Sequence, residues 1–223
     1  MQDVNVNTIT TPEAWHRERL RGIGASESSA VIGCNPYMSN VDLWRVKTGR
    51  KRAADISNVA CVQYGHAAED PIRQLFALDY PEYEVSYGGA FDLVRNPEYP
   101  FIFATLDGRL VEKSTGRRGV LEIKTTEILR SMQNEKWSGQ IPNNYFCQVC
   151  HQLIATGFDF AVLHAQLKFG SGFYWGVRTE RRTYFIERAE VQDSIDYLLA
   201  GEVKFWREYV EKDKEPPLIL PEI

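Results

Sequence analysis

The chain predicts a domain mixing α-helices with β-strands, on three observations. Segments with apolar residues at helical spacing recur between residues 11 and 212, and segments that alternate apolar with polar residues lie among them. A central pair, residues 101–112 and 119–126, is joined by a polar run holding Gly116, which reads as a β-hairpin.

Thr11-Pro12 starts a helix with Trp15, Arg19 and Leu20 at helical spacing, and this helix carries Arg17, Arg19 and Arg21. Gly22-Ile23-Gly24-Ala25-Ser26 is a glycine-containing loop whose Ser26 is placed to cap a helix over 27–32. After a turn at Asn35-Pro36-Tyr37, Asn40 caps a helix that ends at Gly49 and is basic at its end, with Lys47, Arg50, Lys51 and Arg52. Residues 56–80 are helical in pattern. Pro71 fits there only near a helix start or a kink, so Glu69 falls beside a discontinuity. A strand is expected over 85–91, and a loop or short helix over 128–141. Asn143 or Asn144 then opens a helix closed by Gly157. Strands are expected over 161–169, 173–179 and 183–187, with turns at 170–172 and 180–182, before an amphipathic helix over 188–212. The apolar, proline-rich end over 215–223 is expected to dock on its own chain or a neighbouring subunit.

With 223 residues the chain suffices for one substantial core, and a single domain over 1–223 is expected. Its 43% hydrophobic and 25% charged residues describe an ordinary globular protein. No apolar run reaches membrane-span length and the start lacks the order of a signal peptide, so no membrane association and a cytoplasmic location are expected. Four cysteines are too few for a disulfide framework. Cys147 and Cys150 lie within one helix and lack a completing ligand pair, so buried thiols are expected rather than a metal set. The net charge is -4 but unevenly spread: residues 1–52 hold eight Lys/Arg against five Asp/Glu, making this the part expected to face a polyanion.

Within the hairpin, strand alternation sends Glu122 and Lys124 to one side and Leu121 and Ile123 to the other, with Asp107 on the neighbouring strand. Carboxylates and an amine in a strand rich in Val, Leu and Ile are costly unless they pair or bind a metal. Such a set suits metal-assisted phosphodiester hydrolysis: hard cations take oxygen ligands, and a lysine can orient the attacking water or oppose phosphate charge. A solvated hairpin with a Glu/Lys cross-pair is the competing reading. Upstream, a helix N-terminus, the Ser26 hydroxyl and an arginine of the preceding helix form an anion site; a capped helix with solvated arginines competes. Gln148 and Gln152 share a helix face, as surface amides or as contacts to a DNA backbone or a metal-bound water.

The segments WHRERLRGIGASE, NPYMSNVDLWRVKTG, YGHAAEDPIRQLF, ATLDGRLVE, VLEIKTT and YFCQVCHQL, in that order, resemble the YqaJ-like viral recombinase and lambda exonuclease family, within the nuclease superfamily named for its Asp...(Asp/Glu)-x-Lys motif. The resemblance implies a mixed central β-sheet flanked by helices, a restriction-endonuclease-like nuclease core, and a Mg²⁺-dependent 5′-to-3′ exonuclease acting on double-stranded DNA ends. By position it implies Asp107, Glu122 and the Ile123 carbonyl as metal ligands, and Lys124 as the residue acting on water. It also implies Glu69 as a further acid, Gln148 as the completing amide, and Arg19 with Ser26 as a 5′-phosphate pocket. Arg17, Lys47 and Gln152 are candidate DNA-backbone contacts. Two Mg²⁺ ions, replaceable by Mn²⁺, a ring-shaped homotrimer, a single-strand annealing partner and a phage or prophage origin complete what it implies. Leu106 departs from the pattern, standing where the superfamily name has proline. A sequence- or structure-specific endonuclease and a non-catalytic DNA-binding module are the alternatives.

Overall fold

The computed structural model describes residues 5–9, 11–170 and 178–220. In chain order its elements are β1 (Asn5–Thr8), α1 (Pro12–Arg19), β2 (Ile23–Gly24), a 3-10 turn (Ala25–Glu27), α2 (Ser28–Val31), α3 (Asn40–Lys47), α4 (Ala60–Asp79), β3 (Tyr83–Ser86), β4 (Asp92–Arg95) and β5 (Ile102–Ala104). There follow β6 (Gly108–Glu112), β7 (Arg118–Ile128), α5 (Ser131–Glu135), α6 (Asn143–Thr156), β8 (Phe160–Phe169), β9 (Arg178–Glu187), a 3-10 turn (Arg188–Val191), α7 (Gln192–Lys204) and a π-helical turn (Phe205–Val210).

Strands β3-β6-β7-β8-β9 form a mixed sheet in which β7 and β8 are the parallel pair. Parallel neighbours need a crossover, which α5 and α6 supply. A smaller mixed sheet, β1-β4-β5-β2, shares the core beneath α6. On one face Val120, Leu163 and Leu167 meet Val149, Leu153, Ile195 and Leu198 of α6 and α7. On the other, α4 buries Ile72 and Phe76 against Leu110, Leu121, Ile123 and Val162. Each such side chain contributes about 1.5–3 kcal/mol on burial, and the period-two pattern of β7 therefore decides which residues reach which helix layer. Even-numbered Val120, Glu122 and Lys124 go to α6; odd-numbered Leu121 and Ile123 go to α4.

Several expectations need correction. Residues 101–112 are two strands, β5 in the small sheet and β6 in the large one, with Thr105, Leu106 and Asp107 crossing between them. The split follows from β2, whose Ile23 N–H takes the Phe101 carbonyl at 2.6 Å. Gly22 permits that approach, because a Cβ there would lie 2.2 Å from the same oxygen. Of the strand expected over 85–91 only Val85 and Ser86 are strand, as the end of β3; residues 87–91 are a turn around Gly89, which sits at φ 119°, and β4 begins after it. α4 runs unbroken through Pro71. The N–H that proline lacks would have served the Ala67 carbonyl, and Ala67 is exposed, so water can take its place. β9 is one strand paired along its length with β8, not two with a turn at 180–182. The expected turn at 171–172 and residues 173–177 of the expected strand lie outside the described residues.

Ser26 does not cap a helix: the turn starts at Ala25, and the Glu27 carboxylate accepts the Gly24 N–H at 2.8 Å. Ser39, not Asn40, caps α3, its hydroxyl accepting the Asp42 N–H at 3.0 Å. Asn40 turns inward instead, donating to the Pro217 carbonyl at 2.7 Å and accepting from Ile219 N–H at 3.0 Å, so the tail docks on its own chain. Among the described residues no helix is long and apolar enough to cross a membrane.

Candidate active site

The register of β6 and β7 pairs Gly108 with Leu121, so one step further, at the mouth of the hairpin, Asp107 comes opposite Glu122 and within reach of the Ile123 N–H. Asp107 Oδ2 accepts the Ile123 N–H at 2.8 Å, so the backbone of one strand orients the carboxylate at the head of the other. Glu122, 1% exposed, points the opposite way from Ile123 and meets α6. Its Oε1 accepts from Gln148 at 2.6 Å and lies 2.6 Å from Lys124 Nζ, while its Oε2 accepts from Gln152. The two amides are one helical turn apart, so a single helix face satisfies both oxygens.

A cleft of about 180 Å³ brings these groups together with others remote in sequence. Asp107, Glu122, Ile123, Lys124 and Gln148 line it, as do Glu69 from α4, Arg19 from α1 and Ser26 from the 3-10 turn. Arg19 is held there by Glu27 at 3.5 Å and lies 4.8 Å from the Trp15 ring centroid. Ser26 stands exposed at the rim.

Three of the sequence-predicted positions lie elsewhere. Lys47 does not face solvent: its side chain is 1% exposed, and its ammonium donates to Glu27 at 2.7 Å and to the Arg19 carbonyl at 2.7 Å. It braces Arg19 and has no path to a DNA backbone. Gln152 is 0% exposed and engaged with Glu122, so it too is closed to a polyanion. Arg17 is exposed on α1 but does not line the cleft. Cys147 and Cys150 are buried, and burial pushes both thiols up to about 12, as inert thiols require.

Burial pushes the Asp107 carboxyl well above the usual carboxylate range, and neighbouring Glu122 adds to the effect. Glu69 is raised by burial and by Glu122. Burial would lower the Lys124 ammonium, but Glu122 and Asp107 outweigh it and the net shift is upward. Three carboxyls thus share one cleft with one lysine, and two of them show the cost of uncompensated negative charge. The residues fit a hard divalent cation, which takes carboxylate and carbonyl oxygens. Among the described residues no three His, Cys, Asp or Glu side chains are arranged to hold a metal by themselves, so a carbonyl such as that of Ile123 would be needed in the set.

Sequence reasoning missed Glu27, Arg73 and Tyr145. Glu27 lies three residues after Gly24, the spacing of a side chain that reaches back to a helix start, which could have found it. Arg73 lies one turn beyond Glu69 on α4, and that i, i+4 spacing was a usable signal. Tyr145 places its ring centroid 5.0 Å from Lys124 Nζ; nothing local in the sequence pairs them.

In fold, the chain is similar to an alkaline exonuclease (LHK-Exo) from Laribacter hongkongensis, with a TM-score of 0.55 and 19% identity over 90% of this chain and 97% of that one. It is similar also to a phage-related exonuclease from Haemophilus somnus 129PT, with a TM-score of 0.52 and 14% identity over 86% and 96% of the respective chains. Both likenesses place it in the restriction-endonuclease-like fold. In sequence it is 29% identical over 219 residues to the uncharacterized protein YqaJ of Bacillus subtilis (strain 168), covering 95% of this chain and 60% of that protein. The chain thus spans about three-fifths of the length of this relative. The model of the YqaJ-like viral recombinase domain matches residues 14–159, well over half of the sequence, and the chain therefore belongs to that family.

Proposed function

We propose that this chain is a Mg²⁺-dependent deoxyribonuclease that degrades one strand of duplex DNA from its 5′ end and leaves a 3′ single strand for an annealing partner. The observation that carries the reading is the shared cleft: Arg19 and Ser26, suited to a phosphate, line the same 180 Å³ as the carboxylates and Lys124. A guanidinium and a hydroxyl can hold a terminal phosphate, and so aim the strand's first bonds at the acidic end of the cleft. The fold shared with exonucleases supports the same class.

Asp107, Glu122 and the Ile123 carbonyl would hold the cation, Mg²⁺ or Mn²⁺ and two ions in the full site. Bound there, it would lower the pKa of a water and neutralise the charge developing on the phosphate. Lys124 works as an ammonium that opposes phosphate charge, in keeping with its upward shift. Gln148 holds Glu122 in place, and Glu69 adds a third acid at the cleft wall. Assembly as a ring-shaped homotrimer around the product strand and work in the cytoplasm of a bacterial host, from a phage or prophage gene, extend this reading.

The test is digestion of a linear duplex labelled at one end, with a 5′-phosphate or a 5′-hydroxyl, with and without Mg²⁺. Stepwise loss of the phosphorylated strand only with Mg²⁺ is expected. Cutting of a closed circular duplex would instead indicate an endonuclease, and metal-independent binding without cleavage a non-catalytic module.

A further inference from the structure

Asp107 lies on a three-residue link between two sheets, where among the described residues no strand partner holds its backbone carbonyl. The group that takes that carbonyl comes from α4: Arg73 Nε donates to the Asp107 carbonyl at 2.5 Å. Arg73 is itself fixed, 8% exposed, with its guanidinium carbon 3.9 Å from the Tyr87 ring centroid and Nη1 donating to Asp70 at 2.7 Å. One turn earlier, the same helix puts Glu69 into the cleft. Asp107 is thus gripped from two sides, its carboxylate by Ile123 N–H and its main chain by Arg73, while α4 ties that grip to Glu69.

We infer that Arg73 is a positioning residue whose Nε–H fixes the main chain of Asp107 and thereby sets divalent-cation affinity. The inference rests on the proposed nuclease reading. It singles out one donor rather than the charge: the Asp70 and Tyr87 contacts hold Arg73, and the Nε bond holds Asp107. Groups that orient metal ligands from outside the coordination sphere typically change metal affinity by about 10–100-fold when removed.

Two substitutions separate donor from charge and packing. In Arg73→Gln the amide nitrogen occupies the position of the arginine Nε, so the donor stays and the guanidinium goes. In Arg73→Met a methyl group stands at that position. Mn²⁺ binding by the intact chain is measured by electron paramagnetic resonance, alongside a thermal melt and a Mg²⁺ titration of nuclease activity. Arg73→Gln is expected to bind Mn²⁺ within about threefold of wild type, and Arg73→Met about 10–100-fold more weakly, with its activity recovering at high Mg²⁺. Equal losses in both variants, or wild-type binding by Arg73→Met, overturn the inference. Should Arg73→Met not fold, Arg73→Gln decides alone: retained affinity supports the inference and a tenfold loss overturns it. A wild-type protein that binds no Mn²⁺ overturns both this and the nuclease reading, whereas normal Mn²⁺ binding without DNA degradation strikes the nuclease reading only.

Discussion

Gln152 reaches Glu122 from beneath, its Nε2 donating to Glu122 Oε2 while Gln148, one turn earlier, donates to Oε1 at 2.6 Å. Both Gln152 and Glu122 are buried, at 0% and 1% exposure. Removing a donor from a buried carboxylate costs about 1–3 kcal/mol or more. Gln152→Leu is therefore expected to lower the free energy of unfolding by that amount, read as a lower urea midpoint with an unchanged slope, and to weaken nuclease activity without altering DNA-end binding. Equilibrium unfolding followed by circular dichroism checks the first outcome, and an end-binding titration the second.

Asp107 carries the plainest electrostatic cost in the cleft. Its carboxyl is raised by burial and by Glu122, so the folded protein binds a proton there more tightly than the unfolded chain does. The penalty is then fully present above the folded-state value and is relieved as pH falls through it toward the ordinary 3.8. The metal-free protein should therefore gain stability on mild acidification, and Asp107→Asn should remove much of that gain while raising the melting temperature at neutral pH. Glu69 shifts the same way and keeps part of the slope. Thermal melts from pH 8 to 5 in chelator check it. The same substitution, like Asp107→Ala and Lys124→Ala, should abolish Mg²⁺-dependent degradation.

Arg19 sits in the cleft with its guanidinium restrained but not consumed: Glu27 lies 3.5 Å away and Ser26 Oγ 3.5 Å away. Both separations are long, which leaves the fork available to a phosphate. A charge-assisted hydrogen bond contributes about 1.5–3 kcal/mol, so Arg19→Leu should slow digestion of 5′-phosphorylated ends by about ten- to hundredfold and leave 5′-hydroxyl ends nearly unchanged. Paired time courses on the two substrates check it; equal slowing of both would remove the phosphate assignment.

The parts of this site that were legible in the sequence are those governed by local period. Strand alternation placed Glu122 and Lys124 on one side, and helix spacing put Gln148 and Gln152 on one face. The bounds of β5 and β6 were not legible, because the division at Thr105 is imposed by β2, some eighty residues earlier in the chain. Nor was the fate of Lys47, which reads as a basic helix end until Glu27 and the Arg19 carbonyl close over it. Asn40 is similar: a good capping residue by type, it is claimed by a tail 177 residues away. In each case a long-range partner overrode a sound local preference, and one chain without aligned relatives does not display such partners.

Lys47 and Glu27 make the sharpest test of how the phosphate end of the cleft is held. Burial lowers the Lys47 ammonium, Glu27 partly restores it, and the lysine in turn helps hold Glu27 below its ordinary value despite burial. Taking away one member of a buried pair leaves the other uncompensated, at a cost of about 3–5 kcal/mol. Lys47→Met should destabilise by that amount near neutral pH, whereas Lys47→Met with Glu27→Gln should recover a large part. The lowered Glu27 contributes stability above its ordinary 4.5 that is lost as pH falls through the folded-state value, so the gap between wild type and Lys47→Met should narrow in acid. Because Lys47 also holds the Arg19 carbonyl, the single variant should lose preference for 5′-phosphate even where it remains folded. Melting curves from pH 4 to 8 at low and high salt, set beside the two-substrate digestion, distinguish this brace from a lysine that merely contributes charge: a charge contribution would be screened by salt, and the buried contact would not.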